Sequence, residues 1–112
     1  MKYRGCGFIL NINRKKELIL SKPYMLTYDL NSPGQKYDEL TKVIKEEISL
    51  AWCKYWESSY LLKSPYTPNE IVDKLSPYLD DGDKLFITEI IDNKNGWLTQ
   101  KQWDFINENI LD

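Results

Sequence analysis

The sequence predicts an α+β domain of the split β-α-β type, in which an antiparallel four-stranded sheet carries helices on one face. Apolar residues recur at three- and four-residue spacing in two long segments, which indicates two helices. β-Branched and aromatic residues fill four short runs, which indicates four strands. The order is β-α-β-β-α-β, and 112 residues suffice for one hydrophobic core.

The first strand is predicted at residues 25–28, where apolar and aromatic residues end at Asp29. A turn is predicted at residues 31–34, which read Asn-Ser-Pro-Gly. The first helix follows from a stripe of apolar positions with helical spacing. These positions are Tyr37, Leu40, Val43, Ile44 and Ile48.

Two bulky runs, at residues 50–56 and 60–63, are separated by three polar residues and predict an antiparallel hairpin. The second helix is predicted to start with Thr67 as N-cap and Pro68 at its first position. Glu70 lies three residues after the cap, which is typical of a capping box.

The last strand is predicted at residues 85–91, and its apolar residues on both faces indicate a central position in the sheet. A short C-terminal helix is predicted after Thr99, which forms a second capping box with Gln102. Together these elements predict a ferredoxin-like fold. Its second sheet face needs a cover, which a second copy of the chain, an N-terminal hairpin or the C-terminal helix would supply.

Residues 1–24 form a predicted basic extension that precedes the ferredoxin-like domain at 25–112. Two apolar runs, at residues 8–12 and 18–20, flank a polar stretch, which predicts a β-hairpin in this extension.

The net charge of −2 combines a basic extension with an acidic body. The extension carries +5 and residues 25–112 carry −7. A solvated surface explains this excess of acids, and so does a protein partner with a basic groove or pairing between copies of the chain. Nucleic acid is the less favoured partner, since an acidic body repels phosphates. The predicted binding surface consists of Glu46, Glu47, Asp80, Asp81 and Asp83.

Two cysteines, Cys6 and Cys53, lie far apart in the sequence, and the chain has no histidine. This pattern predicts ordinary packing roles for both thiols and a reducing, cytoplasmic environment. No run is long and apolar enough to predict a membrane span or signal peptide.

Residues 28–37 read Tyr-Asp-Leu-Asn-Ser-Pro-Gly-Gln-Lys-Tyr. This stretch resembles the small bacterial and phage proteins labelled SinR-like, and residues 52–62 and 67–71 follow it at the distances expected for that family. The resemblance extends over residues 25–110. It implies a fold shared with VapD-type ribonucleases and with the small CRISPR-associated endoribonuclease-like subunit.

In the nuclease relatives an aspartate at the end of the first strand pairs with its dimer mate to hold a divalent metal, and Asp29 matches this position. The resemblance thus implies Mg²⁺ or Mn²⁺ and a metal-activated water as one role for Asp29. An equally simple interpretation is that Asp29 caps the turn into the first helix.

Three aromatic residues, Trp52, Trp56 and Tyr60, are candidates for stacking on bases, but few positive charges lie near them in the sequence, which favours core or dimer packing. The leading hypothesis is a homodimeric, non-enzymatic binding protein without a cofactor. Its partner would be a basic host protein, such as a nucleic-acid-binding or CRISPR-type defence protein met by a phage. The alternatives are a metal-dependent endonuclease that uses Asp29 across a dimer, and a structural role in which the basic extension mediates assembly.

Overall fold

The computed structural model describes residues 5–8, 20–31 and 35–111. These residues form a five-stranded antiparallel sheet and three helices, which confirms the α+β class. The strands are β1 (Gly5–Phe8), β2 (Lys22–Asp29), β3 (Ala51–Trp56), β4 (Ser59–Ser64) and β5 (Lys84–Glu89). The helices are α1 (Gln35–Val43, extended by a wide π-type turn at Ile44–Ile48), α2 (Pro68–Leu75, followed by a 3₁₀ turn at Ser76–Tyr78) and α3 (Gln100–Phe105, extended by a π-type turn at Ile106–Ile110).

The strands lie in the order β1-β3-β4-β2-β5, and every neighbouring pair is antiparallel. The predicted count of four strands is therefore wrong, because β1 adds a fifth strand beside β3. Glycine makes this pairing possible at Gly7, where a Cβ atom would lie 2.8 Å from Nε1 of Trp52.

The structure describes only the two ends of the predicted N-terminal hairpin, so the pairing of its strands stays a prediction. Phe8 belongs to β1 and pairs with Ala51 of β3, because the edge of β3 offers unpaired backbone groups. Leu20 is helical, in keeping with the helix propensity of leucine, and residues 9–19 lie outside the described part. The strand that contains Met25 starts at Lys22, and the division at residues 24 and 25 stays a prediction.

The strand predicted at residues 85–91 is not central, because β5 lies at an edge of the sheet. Its apolar residues do point to both faces, as the sequence indicates. Those on one face remain exposed, however, and 66% of the Phe86 surface is accessible. Apolar residues on both faces therefore reflect an uncovered surface here, and not burial between layers.

The main core lies on the face of the sheet that α1 and α2 cover. Alternation along β2 turns Tyr24, Leu26 and Tyr28 toward these helices. The helices contribute the apolar residues that their spacing predicts, and the buried ones are Leu40, Val43, Ile44, Ile48, Ile71 and Leu75. The amphipathic helices of the sequence prediction are confirmed.

Both predicted capping boxes are present. The Thr67 side chain accepts a hydrogen bond from the Glu70 backbone N–H, and the Glu70 carboxylate accepts one from Thr67 N–H. Thr99 and Gln102 repeat this arrangement at the start of α3. The caps satisfy N–H groups that would otherwise lack partners at each helix start.

The C-terminal helix α3 covers part of the opposite sheet face. Ile106 and Ile110 pack against Ala51 and Cys53 of β3. Of the three predicted covers, the C-terminal helix is thus observed, over β3 and β4. Within the described ranges, no helix is long and apolar enough to cross a membrane.

Candidate functional site

One half of the second sheet face is open to solvent. The side chains of β2 and β5 that alternate away from the main core reach this face, and α3 packs on β3 and β4 instead. Met25 lies beside Thr88 in register and Thr27 beside Phe86. Because Phe86 is 66% exposed and Met25 is 37% exposed, the open half-sheet is an apolar surface at the edge of the molecule.

A groove of about 330 Å³ separates the open half-sheet from α3 and the segment before it. Its walls include Met25, Trp56, Leu61 and Trp103. Trp97 also lines the groove, yet its side chain is fully exposed. Exposed apolar surface of this kind, beside a groove, is typical of a protein interaction site.

Asp29 lies at the end of β2 on this open half-sheet. It is exposed, and its register partner across the strand pair is Lys84. A lysine beside a carboxylate competes with a cation for it, and the described residues contain no group of three or more metal-ligating side chains. The metal role of Asp29 was predicted for a site shared by two copies, and it stays a prediction.

Residues 32–34 lie outside the described part, so a capping role for Asp29 in the turn into the first helix stays a prediction. A different aspartate binds the backbone at the end of this segment. Asp83 accepts hydrogen bonds from the backbone N–H of Asn31, at 2.6 Å, and of Asp80, at 2.7 Å. These two hydrogen bonds, with a smaller effect from Lys36, hold the pKa of Asp83 below its usual range. Asp83 therefore ties the turn before β5 to the end of the β2 segment.

The predicted acidic binding surface falls into two separate groups. Asp80, Asp81 and Asp83 form the turn before β5, where Asp80 pairs with Lys36 at the start of α1. Glu46 and Glu47 are exposed near the far end of α1.

At 1.5 Å per residue, the ten residues from Lys36 to Glu46 separate the two groups by about 15 Å along the helix. The structure therefore does not bring the five acids together. Asp80 pairs with Lys36, and Asp83 accepts hydrogen bonds from backbone N–H groups. Among the described residues, Asp81 is the acid of this turn that has no such contact within the chain.

A second cleft lies on the other face, between α1 and the β1-β3 edge, with a volume of about 480 Å³. Lys54 is its central feature, since this lysine is only 4% exposed and its Nζ donates a hydrogen bond to Tyr37 Oη at 2.6 Å. Burial raises the pKa of Tyr37, but the hydrogen bonds from Lys54 and Tyr28 and the Lys54 charge lower the pKa by more, so the net shift is downward.

The sequence analysis missed Lys54. In a regular strand, Lys54 would lie on the same face as Trp52 and Trp56. A lysine between two tryptophans on one strand face was the sequence signal for a buried charge. The register shift between Cys53 and Trp56 changes this pattern. Trp52 lines the cleft and Trp56 lines the groove on the opposite face, so the three candidate aromatic residues form no single stacking platform.

Comparison of the chain with protein-family models, with curated proteins and with solved structures finds no match. The resemblance to SinR-like proteins and the roles that it implies therefore stay predictions.

Proposed function

We propose that this chain is a small ferredoxin-like protein-interaction module that acts as a homodimer in the cytoplasm, and that it is not an enzyme. The ferredoxin-like assignment is supported by the order β5-β2-β4-β3 within the sheet, with α1 and α2 on one face. The fifth strand, β1, is an addition at the β3 edge.

The single observation that carries the functional proposal is the exposed apolar surface of the open half-sheet. Phe86 and Met25 are exposed on the open half-sheet, and Met25 and Trp97 line the groove beside it, whereas the opposite face is covered by α1 and α2. Leaving such side chains in water costs about 25 cal/mol for each Å² that a partner would bury. A partner surface therefore gains free energy by covering this region.

A second copy of the chain is the partner that the open half-sheet favours. The surface carries one acid and one base at the same end, Asp29 and Lys84, beside apolar Met25 and Phe86. In a two-fold symmetric interface the same patch is buried on both copies, so the apolar Met25 and Phe86 of one copy would cover those of the other, and the neutral Asp29/Lys84 pair adds no net repulsion. This self-complementary set of side chains is matched by a second copy of the chain.

The exposed acidic groups on α1 and in the turn before β5 suit a basic partner. Glu46 and Glu47 lie on α1, and Asp81 lies in the turn before β5. With −7 over residues 25–112, the chain would attract a positively charged protein surface from a distance. A host nucleic-acid-binding or defence protein, encountered by a phage or mobile-element product, has this charge.

The oligomeric state tests the first part of this proposal. Light scattering at tens of micromolar should give about twice the 13.3 kDa of one chain. The Phe86→Ser substitution should give the monomer mass, because it removes the most exposed apolar side chain of the strand surface. Val72→Ser is the matched control, since Val72 is also exposed, but on α2 at the other face. A monomeric wild type, or a dimeric Phe86→Ser variant, would contradict the homodimer.

The acidic surface is tested by reversing Glu46, Glu47 and Asp81 to lysine together. Asp80 and Asp83 should stay unchanged, since both have contacts within the chain that stabilise its fold. Binding to a basic nucleic-acid-binding protein, measured by calorimetry at 50 and 300 mM salt, should be lost in the triple variant and weakened by salt. Equal binding by both proteins would exclude these three acids.

A further inference from the structure

The cleft between α1 and the β1-β3 edge has features of a small-molecule site that the interaction function does not use. Its volume of about 480 Å³ lies within the range of ligand pockets in proteins. The cleft remains open because the two β1 residues that face α1 are glycines, Gly5 and Gly7, which lie against the Trp52 ring. Any larger side chain at these positions would occupy the space above that ring.

The cleft also contains a polar group that the protein itself leaves unsatisfied. Tyr60 is completely buried, lines the cleft, and its hydroxyl has no hydrogen-bond partner among the described residues. Tyr28 lies near enough to affect the Tyr60 pKa, but the two hydroxyls make no hydrogen bond of ordinary geometry. Buried polar groups in proteins nearly always have a partner, so the unpartnered hydroxyl of a residue that lines a cleft indicates a partner that enters from the cleft.

Two ammonium groups line the same cleft. Lys54 Nζ donates to Tyr37 Oη and lies 5.2 Å from the centre of the Tyr60 ring. Lys45 Nζ lies 4.6 Å from the centre of the Trp52 ring, so the indole holds this second ammonium beside the cleft. Hydrogen-bond donors of this kind bind carboxylate and other oxyanions.

Two acids also line the cleft, nearer to solvent. Asp38 and Glu57 line it and are exposed, whereas Lys54 and Tyr60 are buried. The two lysines and two acids give a formal charge of zero. A ligand with one negative charge is attracted by the two ammonium groups, whereas a second negative charge would add to the repulsion from the two acids.

From the unpartnered Tyr60 hydroxyl, the buried Lys54 and the glycine-lined opening, we propose that this cleft binds a small organic monoanion. Its single carboxylate accepts hydrogen bonds from the Tyr60 hydroxyl and the Lys54 ammonium. The uncharged remainder of the ligand lies over Trp52 toward Gly5. The site is on the opposite sheet face from the open half-sheet, so it does not depend on the homodimer.

The test is an NMR titration of the ¹⁵N-labelled chain with three probes: benzoate, benzylamine and inorganic phosphate. Benzoate should shift the Thr41 amide and the Trp52 indole signals in a saturable way, with a dissociation constant of about 1 mM for a probe of this size. Benzylamine has the same ring and the opposite charge, and it should not bind. Phosphate, with its higher negative charge, should bind more weakly than benzoate.

Tyr60→Phe is the informative variant, because it removes only the hydroxyl. Its dissociation constant for benzoate should rise about tenfold, the effect of one hydrogen bond to a charged group. Its unfolding midpoint without ligand should be unchanged or higher, since no hydrogen bond is lost in the free protein. Lys54→Met should lose binding. Ser49→Ala is the matched control, because Ser49 also has a buried, unpartnered hydroxyl but lies outside the cleft, and it should bind benzoate normally.

The proposal is overturned if no probe shifts these signals at 20 mM or if benzylamine binds as well as benzoate. Stronger binding of phosphate would overturn the preference for a single charge. Unchanged benzoate affinity in Tyr60→Phe would overturn the role of the hydroxyl.

Discussion

Replacing Ile106 by alanine should destabilise the whole domain, because this residue fixes α3 to the second face of the sheet. Ile106 is 2% exposed and packs against Ala51 and Cys53. The substitution removes three carbon atoms, and at about 0.8 kcal/mol for each buried carbon it costs about 2.4 kcal/mol. The cavity that remains brings the expected loss into the range of about 2–5 kcal/mol.

The assay is urea unfolding followed by circular dichroism, with Ile91→Ala as control. Ile91 is the same residue type but 67% exposed, so its replacement should change the free energy of unfolding by less than about 0.5 kcal/mol. A domain of this size has a total stability of about 5–15 kcal/mol, so the Ile106→Ala effect should be easy to measure. A loss below about 1 kcal/mol for Ile106→Ala would refute the role of α3 as a fixed cover.

Three other outcomes follow from particular side chains. Cys6 should react with a thiol reagent in the folded protein and Cys53 only after unfolding, as counted by mass spectrometry, because Cys6 is exposed while burial raises the pKa of Cys53 to about 12. Labelling of both thiols in the folded chain would contradict this. Asp83→Asn should lower the urea midpoint at pH 7, and the difference from the wild type should shrink as the pH falls below about 4. A lowered folded-state pKa of Asp83 stabilises the protein above the unfolded-state pKa, and this stabilisation is lost as the pH falls through the folded-state pKa. A difference that stays constant as the pH is lowered would refute it. If two copies form the metal site that the family resemblance implies, the wild type should cleave RNA or DNA with Mg²⁺ or Mn²⁺, and Asp29→Asn should abolish this cleavage. No cleavage by the wild type, or equal cleavage by the wild type and the variant, would reject the nuclease alternative.

Local signals in the sequence were sufficient to predict most of the helices and strands. The Thr67 and Thr99 caps are set by residues three positions apart, and apolar spacing defines the buried face of α1. Each of these features depends on neighbours within about one helical turn. Such features can be predicted because few alternative partners compete for the groups involved.

Features that depend on distant partners were not predictable in this way. The pairing of β1 with β3 joins Gly7 to Trp52 across a long stretch of chain, and nothing near Gly7 specifies that partner. The exposed position of Phe86 depends on where α3 ends on the sheet, which apolar spacing in β5 cannot indicate.

The same distinction applies to the candidate sites. Asp29 was chosen from its position at a strand end, whereas the aspartate that accepts the Asn31 backbone hydrogen bond is Asp83, from a segment more than fifty residues later. Lys54 was missed because its burial requires Tyr37 and Tyr60 to converge on it from two other elements.

The most direct test of the proposed interaction surface is a photo-crosslinking amino acid placed at Thr88, on the open half-sheet. Irradiation should give a covalent product of two chains, with the new bond near Met25 or Phe86 of the other copy. The same photo-crosslinker at Val72, on the helical face, should give no such product. No covalent dimer from position 88, or an equal yield from position 72, would contradict the claim that the open half-sheet is the surface at which this protein meets its partner.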